Sequence, residues 1–317
     1  MTVPASSRND LWLRLAAFAA IYVIWGTTYL AITLAIRTLP PFMTGGVRYL
    51  LAAGLMYAWL RTRTAEPFAN LDLRSSVLCG VLLSGIGNGF VIWAQQGIPT
   101  GIAALIITSV PVMVVVLDWL FFSRRPPSRR ALSGICIAFA GVVAIVLHTR
   151  SLAGKAEPLY LASMLVAATA WSFGTLLQSR TAVAGTVLSF TCAQMLFGGL
   201  FQLLMACVTQ EWSRLDLRGV SLESLLAVGY LVVFGSIIAS TAYLWLLRRV
   251  PAQKVTTYAL VNPVVALVLG ALVLKEQVTV FEMIAAAMVL TGVALVLFQD
   301  WKPRALWQSR LKAVREQ

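Results

Sequence analysis

Polar punctuation divides the chain into ten apolar stretches of about 17–25 residues, near 11–35, 41–60, 75–95, 101–121, 131–148, 158–179, 185–208, 222–247, 252–274 and 278–298. A helix rising ~1.5 Å per residue needs that length to cross the hydrocarbon of a bilayer. No water is available there for loose backbone groups, so each stretch must close its own hydrogen bonds, and a helix does so. A membrane barrel is disfavoured, because its strands are segments of roughly ten residues with alternating polarity and these runs are continuous. An all-α polytopic membrane protein with ten transmembrane helices is expected. With 59% apolar and 12% charged residues, the chain lacks the polar surface of a soluble domain, and the lipid bilayer is its main solvent.

The net charge of +13 invites a nucleic-acid reading, but its distribution is a topology signal. When the loops are assigned alternately to two sides, 18 of the 25 basic residues fall on one side. They include Arg61, Arg63, Arg74, the run from Arg124 to Arg130, Arg248, Arg249 and the five from Lys302 to Arg315. The other side holds Arg37, Arg150, Lys155, Arg214, Arg218 and Lys275, and only Arg48 lies within a span. The positive-inside rule then places both termini in the cytoplasm, and no nucleic-acid partner is expected. Residues 15–36 are too long for the apolar core of a cleaved signal peptide. Cys79, Cys136, Cys192 and Cys207 match neither a metal knuckle nor a disulfide framework and are expected to serve in packing. No metal or cofactor is expected.

One spelling occurs twice. Trp93, Pro99 and Pro111 recur 152 residues later as Trp245, Pro251 and Pro263, and earlier in each half Trp25 matches Trp171 and Arg48 matches Gln194 at a displacement of 146. An insertion of six residues, placed around 209–221, accounts for the difference. A unit of five spans is odd, so its second copy enters the membrane from the opposite side, and the halves are inverted. The expected division is 11–148 for the first repeat, 158–298 for the second, and 299–317 for a basic cytoplasmic tail that is either a short amphipathic helix or disordered. Inverted repeats suit a protein with two related conformations, each open to one side of a midplane site.

Residues of that site should be polar or aromatic at mid-span depth, since a polar group there needs a partner. Trp25, Tyr29 and Thr33 recur every four residues on the first span, and Trp171, Thr175 and Gln178 follow an i, i+4, i+7 pattern on the sixth. The third span offers Ser84, Asn88 and Gln95, the eighth Ser236, Ser240 and Tyr243, and the ninth Tyr258 and Asn262. The substrate-binding set is thus Trp25, Tyr29, Asn88, Trp93, Trp171, Gln178, Tyr243, Tyr258 and Asn262. Pro111 and Pro263 remove backbone hydrogen bonds in the fourth and ninth spans and favour kinks that bear on gating. Charge or proton roles fall to Arg48, Asp118, Glu276 and Glu282. Arg48 either attracts an anionic group or holds a structural carboxylate. The fifth and tenth spans, with Gly134, Gly141 and Gly292, read as scaffold or as a dimer face, so monomer and homodimer both stand.

Trp25-Gly26-Thr27-Thr28-Tyr29, Pro40-Pro41-Phe42-Met43 leading to Gly46-Val47-Arg48-Tyr49, and Val261-Asn262-Pro263-Val264-Val265 resemble the EamA family of the drug/metabolite transporter superfamily. Gly87-Asn88-Gly89, Pro99-Thr100-Gly101-Ile102-Ala103-Ala104 and Phe234-Gly235-Ser236-Ile237-Ile238-Ala239 resemble its YedA-type inner-membrane members. The resemblance implies a ten-helix inverted-repeat exporter with a central cavity bounded by helices one, three, four, six, eight and nine. Its relatives export amino acids, other small metabolites or drugs. Family members often carry an acid after the fourth and ninth spans. Glu276 fits the second position, whereas Arg124 stands at the first.

The expected function is secondary export of a small-molecule substrate, an amino acid or related compound, by alternating access around an aromatic and polar cavity. A multidrug or other metabolite facilitator is the alternative. An intramembrane enzyme lacks its chemistry: there is one histidine, no Gly-x-Ser-Gly signature around Ser84 and no carboxylate cluster. A non-transporting structural protein would give the repeat no purpose. No nucleotide-binding loop is spelled, which leaves an ion gradient, exchange or downhill flow as the driving force.

Overall fold

The computed structural model describes residues 8–124, 126–152, 158–180, 186–250 and 252–298. Its long elements are α1 (Arg8–Ala35), α2 (Pro41–Arg61), α3 (Leu73–Ala94), α4 (Thr100–Ser123), α5 (Arg129–Leu152), α6 (Pro158–Arg180), α7 (Val187–Val208), α8 (Leu222–Leu247), α9 (Tyr258–Val273) and α10 (Val280–Leu297). Among the described residues there is no strand. The basic tail, Pro251 and Arg125 lie outside the described residues.

Seven of these helices, α1, α3, α4, α6, α7, α8 and α10, are long and apolar enough on their own to cross a membrane. By that measure seven of the ten expected spans stand among the described residues, with α9 a shorter apolar helix. Large apolar side chains cover the outer surface, among them Leu55 and Trp59 on α2, Phe121 on α4, Phe139 on α5 and Ile284 on α10, all exposed. A contiguous apolar exterior of this kind suits lipid and not water.

Polar caps mark several helix starts, where orphan N–H groups need acceptors. Asp72 accepts from the Ser75 nitrogen at 3.1 Å and Ser221 from the Ser224 nitrogen at 3.1 Å. Thr279 and Glu282 form a reciprocal capping box at the start of α10. Glu282 is thereby committed to a helix end. Asp118, near the end of α4, pairs with Arg180 at the end of α6.

Two caps come from far along the chain. The carboxylate of Glu211, in the short turn Glu211–Arg214, accepts from the Phe42 and Met43 nitrogens at 3.1 and 2.8 Å. That of Glu276 accepts from the Thr100 and Gly101 nitrogens at 2.9 and 3.4 Å. Glu276 therefore ties the segment after α9 to the first turn of α4.

Helix packing is built on close approaches. α2 lies along α7, and α5 along α10. At the second crossing a Cβ on Gly134 would fall 2.6 Å from the Gly292 carbonyl oxygen, and one on Gly292 would fall 2.5 Å from that of Gly134. These small residues are used inside the molecule, which makes α5 and α10 scaffold at this point and not a free face for a second copy. Cys79 and Cys192 are buried, as packing residues are, whereas Cys136 and Cys207 are exposed. Other large contacts pair α1 with α8 and α9, α4 with α9, α6 with α3 and α4, and α7 with α3.

The helices are interrupted where the site lies. Pro111 has no N–H for the carbonyl four residues back and its ring crowds that group. α4 accordingly breaks at Thr108–Ser109, where the bonds tighten to i, i+3. Pro263 stays inside α9, and the corresponding tightening at Thr256–Thr257 precedes that helix. Wide π-helical turns, which composition does not announce, occupy Gly80–Gly87 in α3 and Leu231–Ile238 in α8. These two segments stand 151 residues apart, near the displacement that relates Trp93 to Trp245.

Candidate functional site

An aromatic cluster fills the centre of the bundle. The Trp25 ring meets Trp171 edge-on at 5.8 Å and Tyr258 edge-on at 4.9 Å, Tyr243 lies tilted against it at 5.0 Å, and Tyr243 is 6.0 Å from Tyr258. Edge-to-face pairs at such distances hold each ring in place. The Tyr243 hydroxyl is 3.1 Å from the Thr175 hydroxyl, and the Trp25 indole N–H donates to the Gly235 carbonyl at 3.4 Å.

Beside the cluster lies a cavity with about 50 Å³ of room for the centre of a water-sized sphere. That admits a few waters. Its wall carries Trp25, Tyr29, Asn88, Trp171, Gln178, Tyr243, Tyr258 and Asn262, drawn from α1, α3, α6, α8 and α9. Ser84 and Ser240 join them, as does Ile107 beside the break in α4.

Several expected residues sit elsewhere. Trp93 is outside the cavity, stacked on Phe42 at 6.4 Å and tilted against Tyr160 at 4.7 Å near the end of α3. Gln95 and Thr33 are bonded to each other at 3.0 Å, with Gln95 also donating to the Tyr29 carbonyl. Asn88 donates to the Leu83 carbonyl at 3.3 Å, supporting the wide turn of α3. With its amide nitrogen facing them, Asn262 donates to the Tyr258 and Tyr22 carbonyls at 3.2 and 3.1 Å, beside Pro263.

α2 and α7 also reach the cavity, which widens the expected set of bounding helices. They bring Arg48, Tyr49 and Gln194. Thr28 and Ile32 extend the α1 stripe to 25, 28, 29 and 32, an i, i+3, i+4, i+7 pattern that a search confined to every fourth residue passes over. Gln194 was signalled only by its displacement from Arg48.

Arg48 is buried, and no carboxylate pairs with it among the described residues. This overturns the expectation of a structural ion pair. Its Nε donates to the Ser236 hydroxyl at 2.8 Å, and its guanidinium carbon lies 4.8 Å from the Tyr49 ring centre. In the other half Gln194 directs its Nε2 to the Ser84 hydroxyl at 3.5 Å and accepts from Gln178 at 2.9 Å. Residues 48 and 194 stand 146 apart and residues 84 and 236 stand 152 apart, so the two contacts join positions matched by the displacements read in the sequence. Among the described residues, Arg48 is the only charged side chain in the cavity wall.

The chain is similar to known membrane transporters over most of its length. It is 34% identical over 282 residues to the uncharacterized inner membrane transporter YedA of Escherichia coli K12, covering 88% of this chain and 89% of that one. Protein PagO of Salmonella typhimurium is 23% identical over 88% of this chain and 91% of its own. A probable amino-acid metabolite efflux pump of Escherichia coli K12 is 26% identical over 92% of this chain and 96% of its own. A solved crystal structure shares the fold at a TM-score of 0.61 and 17% identity, covering 91% of this chain and 96% of that one. The model of the EamA-like transporter family matches residues 11–147 and again 159–298. The chain therefore belongs to the EamA-like transporter family.

Proposed function

We propose that the protein exports a small metabolite, an amino acid or related compound, across the bacterial inner membrane by alternating access at the aromatic cavity. The observation that carries this reading is the cavity itself, enclosed by helices from both halves and lined by Trp25 and Trp171 at repeat-related positions. Rings accept an apolar body by contact, and the amides of Asn88, Gln178 and Asn262 offer polar partners at its edge. Its small volume describes a contracted state, and a substrate enters when the halves rock apart.

The same reading takes the chain as ten spans in two inverted repeats, 11–148 and 158–298, with both termini cytoplasmic. Support comes from the double match to the family, from the paired wide turns of α3 and α8, and from contacts that exchange when the halves are swapped, such as α1 with α9 and α6 with α4. The distribution of basic residues supports the orientation. The amino-acid assignment draws on the named efflux-pump relative. The break at Thr108–Ser109 before Pro111 and the turn at Thr256–Thr257 before α9 serve as the points about which the fourth and ninth spans bend.

The test is efflux from preloaded proteoliposomes over a panel of amino acids, with and without an imposed pH gradient. Flux of one class driven by the gradient is expected for a coupled exporter. Gradient-independent flux would make it a facilitator, and no flux of any amino acid would overturn the substrate class. Trp171→Ala and Asn262→Ala are expected to abolish transport while still inserting into membranes. Unchanged transport by both would remove the central-site assignment.

A further inference from the structure

A buried guanidinium stays charged, and a buried charge without an opposite partner is costly. Arg48 is 2% exposed and faces the cavity. Ser236 takes its Nε and the Tyr49 ring lies beside the guanidinium, but the buried Nη1 has no hydrogen-bond partner among the described residues. A Cβ on Gly235 would fall 3.0 Å from Nη2, so the backbone of α8 leaves room for the group at that point.

Packing does not explain the charge. The counterpart contact in the other half, Gln194 with Ser84, joins a helix to a wide turn with a neutral amide. The charge is kept on one side alone, in a cavity whose wall holds no carboxylate among the described residues. Gln178 adds a second unmatched group to the same wall, a buried Oε1 without a partner.

We propose that Arg48 is the anion-docking residue of the cavity and that the transported molecule carries a carboxylate, seated on Nη1 with its apolar body against the Trp25, Trp171, Tyr243 and Tyr258 rings. This rests on the transport reading and narrows it. The required feature is the acid group. An amino group is tolerated, and organic cations, for which the wall has no acid, are poor substrates.

Binding is read from tryptophan fluorescence of the purified protein, since Trp25 and Trp171 line the cavity, using 3-phenylpropionate, its neutral amide, 2-phenylethylamine and phenylalanine. The wild type is expected to bind the acid about tenfold or more tightly than the amide, the scale of one hydrogen bond to a charged group, with the amine weakest. Arg48→Gln should erase the acid-to-amide ratio while folding at least as stably, because an uncompensated charge is gone. Arg48→Lys should retain part of the ratio.

Equal binding of acid and amide by the wild type, which needs no variant, overturns the proposal, and so does an acid preference that survives in Arg48→Gln. A response to sodium chloride as strong as that to the organic acids would assign Arg48 to an inorganic anion and likewise overturn it. The same panel in proteoliposomes separates the two claims. Arg48-dependent binding without flux supports the docking residue and removes transport, whereas equal flux of acid and amide keeps transport and removes the docking residue. Neither binding nor flux of any compound overturns both.

Discussion

Replacing glycine by alanine is one chemical change that should move stability in opposite directions at different places in this protein. At Gly292 a Cβ would sit 2.4 Å from the Ala138 nitrogen and 2.5 Å from the Gly134 carbonyl oxygen. Both are main-chain atoms that cannot rotate aside. Carbon prefers roughly 3.5 Å from such neighbours, so α5 and α10 must part by about 1 Å. Overpacking of this kind costs about 1–3 kcal/mol. Ala138, Val142, Val289, Val293 and Val296, all buried in the same core, would lose contact together. At Gly54 and Gly229 no heavy atom of the described residues beyond the chain neighbours and the local helix backbone lies within 4 Å of the new carbon. There only helix propensity acts, favouring alanine by ~1 kcal/mol. The assay is the thermal midpoint of the purified protein in a single detergent, at roughly 2–4 °C per kcal/mol for a chain of a few hundred residues. Gly292→Ala should melt several degrees below the wild type, and Gly54→Ala and Gly229→Ala at or above it. A Gly292→Ala protein that melts with the wild type would refute the backbone contact between α5 and α10.

Other perturbations follow from the long-range caps. Glu276→Gln exchanges one acceptor at the start of α4 for a donor and is expected to cost about 1 kcal/mol, seen as a lower thermal midpoint. An unchanged midpoint would mean the cap does not hold α4. Burial pushes the carboxyl of Glu211 above its usual 4.5, although the backbone N–H groups of Met43 and Phe42 pull the other way. A raised acid contributes stability at low pH that is lost as pH rises through the folded value. Relative to Glu211→Gln, the wild type should therefore lose thermal stability as pH climbs from 4.5, and a flat difference between the two would refute the burial effect. Thr279→Ala breaks the capping box of α10 and should cost about 1 kcal/mol in the same melt.

Long apolar runs made the helices legible, because a segment without polar groups has few ways to satisfy its backbone in lipid. Their irregularities were less so. The break at Thr108–Ser109 could be read from Pro111, but the wide turns of α3 and α8 have no compositional mark. Stripes every fourth residue found Trp25, Tyr29, Trp171 and Asn262, and the same rule missed Thr28 and Ile32, which share that face of α1. Trp93 misled through its repeated spelling, since the symmetry that relates it to Trp245 does not place it at the cavity. Arg48 was visible as a charge out of place. Its partner was not, because Ser236 lies 188 residues away and only the packing of α2 on α8 joins them.

Glu276 would have a consequence for the proposed alternating-access cycle. Its mate in the repeat is Arg124, which brings no carboxylate, so the two ends of the molecule are latched with unequal strength. On the proposed topology the latched end faces outward. A cap worth about 1 kcal/mol skews a two-state equilibrium by roughly fivefold. The empty protein would then rest mostly shut to the exterior, its cavity turned to the cytoplasm, and internal substrate would pay little conformational penalty on entry. Direction of pumping is usually sought in the driving gradient, yet on the proposed cycle a single unmatched side chain would already set which way the idle protein waits.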